Sequence, residues 1–143
     1  MKISGNTIFI PGATSGIGLA LAIALRDKGN KVIVGGRREQ LLRQITAGHP
    51  GDKEAVDALL DHPGIDAVRI DTSDADTIQS VAAQVLAEHP DLNVVITMAG
   101  VMKIEDWHAP QSSLAAAEST ITPNVLGTIR LIAAFIEHLQ TRP

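Results

Sequence analysis

The sequence predicts an α/β protein built on a doubly wound parallel sheet with helices on both faces. Short apolar segments alternate with longer helical segments along the chain. The apolar segments show no polar–apolar alternation, which is typical of parallel strands covered on both faces. A length of 143 residues is enough for one domain and too short for two. We therefore expect a single domain over 1–143.

The pattern predicts four strands and four main helices in alternation. The strands are short and apolar, and turn residues bound them; they lie at 7–10, 31–34, 67–70 and 93–96. The helices have apolar faces, and Gly, Asn or Pro follows several of them, as at many helix ends; they lie at 16–28, 38–47, 74–89 and 111–139. Pro123 is expected to interrupt the last helix.

One segment fits this order less well. Residues 52–61 have the spacing of a short amphipathic helix, bracketed by His-Pro-Gly sequences at 49–51 and 62–64. The segment 51–63 is therefore a candidate insertion or local duplication before the third strand. Two similar helix ends explain the same pattern without either.

Composition excludes several classes of function. The net charge is −4, there is no cysteine, and the histidines are scattered, so we expect no nucleic-acid partner and no metal site. The apolar stretches are expected to be too short to cross a membrane, and the first one is too short for a signal peptide. These observations predict a cytoplasmic protein without a membrane partner.

A glycine-rich turn at 12–18 lies between the first strand and the first helix. Gly12 allows the tight turn, Gly16 allows a ligand to approach the backbone, and Gly18 allows the helix to pack closely on the strand. The helix N-terminus offers N–H groups and a positive dipole end to a phosphate. A tight loop without a ligand is the alternative, but in a βαβ unit the pattern indicates a dinucleotide site. The predicted cofactor-binding residues here are Gly12, Thr14, Ser15, Gly16, Ile17 and Gly18.

The end of the second strand indicates which dinucleotide binds. Folds that prefer NAD usually have an acidic residue there, which binds the ribose hydroxyls. Here the sequence is Gly35-Gly36-Arg37-Arg38, and guanidinium groups bind phosphate well. We predict NADP rather than NAD, with Arg37 the better candidate and Arg38 beside it. The alternative is that both arginines simply begin a solvated helix.

These ordered motifs resemble the short-chain dehydrogenase/reductase family, and most closely its DltE-like oxidoreductases. The resemblance covers nearly the whole chain apart from 51–63 and implies a Rossmann-like fold. It implies that the carboxylate of Asp71, followed by Thr72, contacts the adenine. Ala99-Gly100 match the end of the family's Asn-Asn-Ala-Gly motif and are assigned to the cofactor site. Asn124 matches the family's asparagine that helps to hold a water in the proton relay.

Two departures from the family pattern concern the cofactor turn. Pro11 stands at the family's first Thr, and Thr97-Met98 stand at its Asn-Asn pair. In the family these side chains share a hydrogen bond between the glycine turn and the fourth strand. Either the turn is looser here, or an apolar Pro–Met contact replaces the polar one.

A third departure concerns catalysis. The family's Tyr-x-x-x-Lys and the preceding Ser lie beyond its fifth helix, and this sequence contains no Tyr. The resemblance therefore covers the N-terminal cofactor-binding portion only, truncated after the fifth family helix. Asn124 is the one catalytic residue carried over. His108 could in principle move a proton, but we interpret it as an exposed loop residue.

The resemblance predicts an NADP-dependent oxidoreductase that transfers hydride between nicotinamide and an alcohol or carbonyl substrate. The 143 residues alone are expected to be inactive. The alternatives are a non-catalytic NADP-binding or interaction module, and an inactive truncated fragment. Helix 111–139 is apolar on more than one side, and in the family this helix also packs against its copy. A homo-oligomer is therefore expected.

Overall fold

The computed structural model describes residues 2–46, 65–103, 108 and 112–142. The helix predicted at 52–61 and the candidate insertion at 51–63 lie outside these residues.

The described elements follow the predicted order. The strands are β1 (Thr7–Pro11), β2 (Lys31–Gly36), β3 (Ile65–Arg69) and β4 (Val94–Val95). The helices are α1 (Gly16–Asp27), α2 (Glu39–Thr46), α3 (Ala75–Glu88), α4 (Ser112–Ile121) and α5 (Gly127–Leu139). A π-helical segment, Thr122–Leu126, joins α4 to α5. β2 runs two residues further than predicted, β3 begins two residues earlier, and β4 is shorter.

The four strands form one parallel sheet in the order β3-β2-β1-β4. The chain moves outward from β1 to β3 and then returns to the other side of β1 with β4. Loops after β1 and β4 therefore leave the sheet in opposite directions, which opens a crevice at the carboxyl ends of the strands. The predicted doubly wound, Rossmann-like fold is confirmed.

Each face of the sheet has its own apolar core. Ile8 and Ile10 of β1 pack with α1 and α2, whereas Phe9 packs with α3 and α5 on the opposite face. The rings of Phe9 and Phe135 lie 5.5 Å apart between centroids. Successive residues of a strand point to opposite faces, so a uniformly apolar strand supplies both cores. This arrangement explains why the strands lack alternation.

Pro123 interrupts the last helix, as the sequence predicts. The proline lies in the π segment, and the N–H of Gly127 bonds to the C=O of Thr122, five residues back. A proline cannot donate to the helix ladder and its ring crowds the preceding turn. The wider π turn accommodates it, so helix continues on both sides.

The expectation that every apolar stretch is too short to cross a membrane is wrong for this helix. Leu114–Leu139 is long and apolar enough by length and composition alone, with a mean hydropathy of 1.3. Core helices of globular proteins, which are mostly buried, meet the same criterion; here Leu131 and Phe135 are buried against the sheet, and 22% of the apolar window is buried.

Candidate functional site

A cleft lies at the carboxyl ends of the strands, where the crevice between β1 and β4 opens. Loops after all four strands and the start of the π segment contribute to it. Its lining residues are Gly12, Thr14, Ser15, Gly36, Arg37, Arg38, Ile70, Asp71, Thr72, Ser73, Met98, Ala99, Gly100, Val101 and Pro123. The cleft therefore gathers most of the residues that the sequence assigns to cofactor binding.

The three glycines of the turn have different surroundings. Gly12 has a φ of +90°, and a Cβ there would lie 2.4 Å from the backbone N of Ala99. A Cβ on Gly18 would lie 2.6 Å from the Gly12 carbonyl oxygen, whereas Gly16, with a φ of +58°, has open space around it. Gly12 and Gly18 thus allow close packing, and Gly16 leaves room for a ligand beside the backbone. The Ile17 side chain is 80% exposed and does not line the cleft.

The N-terminus of α1 has no side-chain cap. Ser15 is the N-cap residue, but its hydroxyl makes no capping hydrogen bond and instead accepts one from Arg38 Nη2 at 2.6 Å. At the same edge of the sheet, α3 is capped by Asp74, whose carboxylate accepts from the N–H groups of Asp76 and Thr77. The first turn of α1 also has no acidic residue. Its N–H groups and positive dipole end are therefore available to an anion.

Arg38 is held across the cleft, whereas Arg37 is not. Besides Ser15, the Nη2 of Arg38 reaches the Thr14 hydroxyl at 3.3 Å. Arg37 lines the cleft but is exposed, and within the described residues it makes no hydrogen bond or ion pair. The sequence analysis named Arg37 as the better candidate. The packing instead orients Arg38 toward the glycine turn.

Asp71 and Thr72 follow β3 and make different contacts. The carboxylate of Asp71 accepts a hydrogen bond from the N–H of Ser73 at 2.9 Å and stays half-buried at the cleft. Thr72 is buried, and its carbonyl oxygen would be 2.4 Å from a Cβ on Gly127. Gly127 therefore allows the last helix to contact the loop after β3, three residues beyond Asn124.

The amide of Asn124 pairs with the backbone of Val101. Its Oδ1 accepts from the Val101 N–H, and its Nδ2 donates to the Val101 C=O, both at 2.8 Å. This pair joins the π segment to the loop after β4, which carries Ala99 and Gly100. The described geometry gives Asn124 a positioning contact, and its role in a water relay stays a prediction.

The tie between the glycine turn and β4 is made by backbone atoms. The N–H of Met98, which follows β4, donates to the C=O of Pro11 at 3.0 Å. On the other side of β1, the N–H of Gly12 donates to the C=O of Gly35 in β2 at 2.7 Å. Proline lacks an N–H but keeps its carbonyl. Neither of the two expected alternatives, a looser turn or an apolar Pro–Met contact, includes this backbone link.

Sequence reasoning also missed six residues of the cleft wall. They are Gly36, Ile70, Ser73, Met98, Val101 and Pro123. All but Pro123 lie at a strand end or in the residues that follow one, and that position was the available signal. His108 is exposed. Across the described ranges, no group of three or more His, Cys, Asp or Glu residues could hold a metal ion.

Comparison with known proteins gives a consistent result. The family model for short chain dehydrogenase matches residues 6–143. The chain is 33% identical over its full length to the uncharacterized oxidoreductase DltE of Bacillus subtilis, of which it spans 52%.

Two solved structures share the fold. A putative short chain dehydrogenase from Escherichia coli has a TM-score of 0.79 at 22% identity, with 98% of this chain and 58% of that one covered. The L-sorbose reductase of Gluconobacter frateurii, solved with NADPH and L-sorbose, has a TM-score of 0.77 at 20% identity, with 99% and 50% covered.

Proposed function

Because the chain belongs to the short-chain dehydrogenase/reductase family, we propose that it is the NADP-binding portion of an oxidoreductase. The reaction is hydride transfer between nicotinamide and an alcohol or carbonyl substrate. The observation that supports this proposal best is the guanidinium of Arg38, which lies 2.6 Å from Ser15 beside the uncapped N-terminus of α1. No carboxylate stands at the end of β2 to repel a phosphate.

The cleft residues fit a dinucleotide on chemical grounds. The open space around Gly16 and the free N–H groups of α1 suit a pyrophosphate. Arg38 suits a phosphate on the adenosine ribose, and the Asp71 carboxylate suits an amino group of the base. When bound, nicotinamide supplies or accepts the hydride. The residues of this chain bind and orient the cofactor.

The activity of the whole protein is a separate part of the proposal. The chain spans about half the length of the relative it matches, and it contains no tyrosine. We therefore expect the 143 residues to bind NADP without turnover. A non-catalytic NADP-binding module is the second candidate function. Steady oxidation of NADPH with a carbonyl substrate by this chain would contradict the expected inactivity.

Self-association through the last helix is also proposed. A stripe of large apolar side chains runs along α5, the π segment and the end of α4, and each is exposed by between 44% and 57%; its members are Ile121, Val125, Ile129, Ile132 and Ile136. Burial of such a stripe against a second copy would remove it from water. Ile129→Asp should lower the molar mass measured by light scattering to that of a monomer, and Gln79→Ala on α3 serves as the control.

We also propose a cytoplasmic location.

The cofactor proposal is tested by titration of the purified chain with NADPH and NADH, followed by nicotinamide fluorescence. We expect saturable binding of NADPH that is about tenfold tighter or more, because a charge-assisted phosphate contact is worth about 1.5–3 kcal/mol. Arg38→Ala should remove most of this preference, and Arg37→Ala should remove less. Equal affinities in the wild type would contradict the NADP preference. Binding of neither dinucleotide would contradict the cofactor site.

A further inference from the structure

Thr14 and Gly36 interlock at the wall of the cleft. Gly36 is the last residue of β2, and Thr14 lies in the glycine turn after β1. A Cβ added to Gly36 would lie 2.3 Å from the Cγ2 methyl of Thr14, 3.1 Å from its Oγ1 and 3.3 Å from its Cβ. The space beside Gly36 is therefore filled by the threonine side chain.

Thr14 cannot yield this space easily. It is 9% exposed, and a β-branched side chain has few χ1 rotamers available. Rotation about χ1 moves the methyl and the hydroxyl but leaves the Cβ of Thr14 in place, 3.3 Å from the added Cβ. Any side chain at position 36 has to displace Thr14 from a packed site.

The hydroxyl of Thr14 has a second role. Its Oγ1 lies 3.3 Å from the Nη2 of Arg38, which also donates to Ser15. The methyl of Thr14 thus contacts the strand end, and its hydroxyl faces the guanidinium. The Thr14 side chain therefore both excludes a side chain at position 36 and orients the guanidinium of Arg38.

We propose that Thr14 is a specificity-determining residue. Its methyl group sterically excludes an acidic side chain at the end of β2, and its hydroxyl orients Arg38 toward a ribose phosphate. Dinucleotide folds that select NAD place an acidic side chain near the end of this strand. Thr14 occupies the volume that such a side chain at position 36 would need. This proposal rests on the proposed NADP-binding function and assigns the choice between cofactors to a residue of the glycine turn.

The steric part is tested first, without any cofactor. In a strand, Gly→Ala normally stabilises, because glycine loses more backbone entropy on folding. Gly36→Ala should instead lower Tm by about 5 °C, since overpacking of a filled site is destabilising. Thr14→Ser removes the methyl that makes the shortest contact, and the double variant T14S/G36A should recover most of the lost Tm. An unchanged or raised Tm for G36A, or no recovery in the double variant, would overturn the interlock.

The specificity part uses Gly36→Asp alone and together with Thr14→Ala. Gly36→Asp alone should bind both dinucleotides poorly, or should fail to fold. The double variant T14A/G36D should fold and prefer NADH to NADPH by about tenfold, because a carboxylate binds ribose hydroxyls and repels phosphate. Thr14→Ala alone should weaken the binding of NADPH severalfold more than the binding of NADH.

The outcomes separate this inference from the proposed function. If the wild type shows no NADPH preference while the melting-temperature cycle behaves as expected, the interlock stands and the specificity role is overturned together with the proposed preference. If the wild type prefers NADPH but G36D alone folds normally and prefers NADH, only the role of Thr14 is overturned. A double variant that folds no better than G36D also overturns the role of Thr14.

Discussion

Replacement of Asn124 by alanine should destabilise the chain measurably, although asparagine is a poor helix former. The side chain makes two hydrogen bonds of 2.8 Å to the backbone of Val101. Each intramolecular hydrogen bond contributes about 1 kcal/mol net, so their loss should cost about 2 kcal/mol. For a chain of this size, that cost lowers Tm by about 8 °C. The gain in helix propensity from alanine offsets a small part of this loss.

The assay is thermal unfolding followed by circular dichroism, with Gln79→Ala as the matched control. Gln79 is an exposed amide on α3, so its removal changes helix propensity and little else. Asn124→Asp gives a second measurement, because the introduced carboxyl still accepts from the Val101 N–H but loses the donor to the Val101 C=O. Compared with the wild type at each pH, this variant should regain stability below about pH 4, where the carboxyl is protonated and donates again.

Two results would refute this reasoning. If N124A melts within about 1 °C of the Gln79 control, the paired hydrogen bonds do not join the π segment to the loop after β4. If the deficit of N124D does not depend on pH, the donor at Nδ2 is not the group that matters.

Three further predictions test the core, the pH dependence and the turn. Phe135→Ala should cost about 3–5 kcal/mol in urea unfolding, because this ring is fully buried, whereas Ile3→Ala, 65% exposed, should cost far less. The Thr7 hydroxyl holds the pKa of Asp91 below its usual range. The resulting stabilisation is present above about pH 4 and is lost as the pH falls through the lowered pKa, and Thr7→Val should flatten this loss in urea melts between about pH 5 and pH 2. Gly12→Ala should abolish NADPH binding and lower Tm, because the methyl group meets backbone at 2.4 Å; normal binding would contradict the tight turn.

Most of the fold was predictable because its signals are local. Apolar runs without alternation identify buried parallel strands, and Gly or Asn after an apolar face identifies helix ends. The bounds of β3 and β4 were less accurate. β3 begins at Ile65, where pairing with Val32 of β2 starts, and β4 is limited to the two residues that pair with Ile8 and Phe9 of β1. The ends of a strand depend on where pairing with the neighbouring strand starts and stops. The residues of the strand itself do not reveal that register.

The cleft was predictable in part for the same reason. The glycine turn has a sequence pattern because each glycine meets a steric requirement of the turn itself. The contact of Arg38 with Ser15 has no such pattern, because it depends on how the start of α2 lies over the turn after β1. The backbone link from Met98 to Pro11 was equally invisible, since every residue carries the same carbonyl group.

By itself, the sequence determined the α/β class, the order of the elements, the position of the glycine turn and the lack of a carboxylate after β2. These features follow from side-chain type and spacing along the chain. Only the tertiary structure decided that Arg38 contacts the turn, that Thr14 fills the space beside Gly36, and that Asn124 joins the last helix to the loop after β4. Those contacts link residues more than twenty positions apart, so packing across the sheet, and not local preference, brings them together.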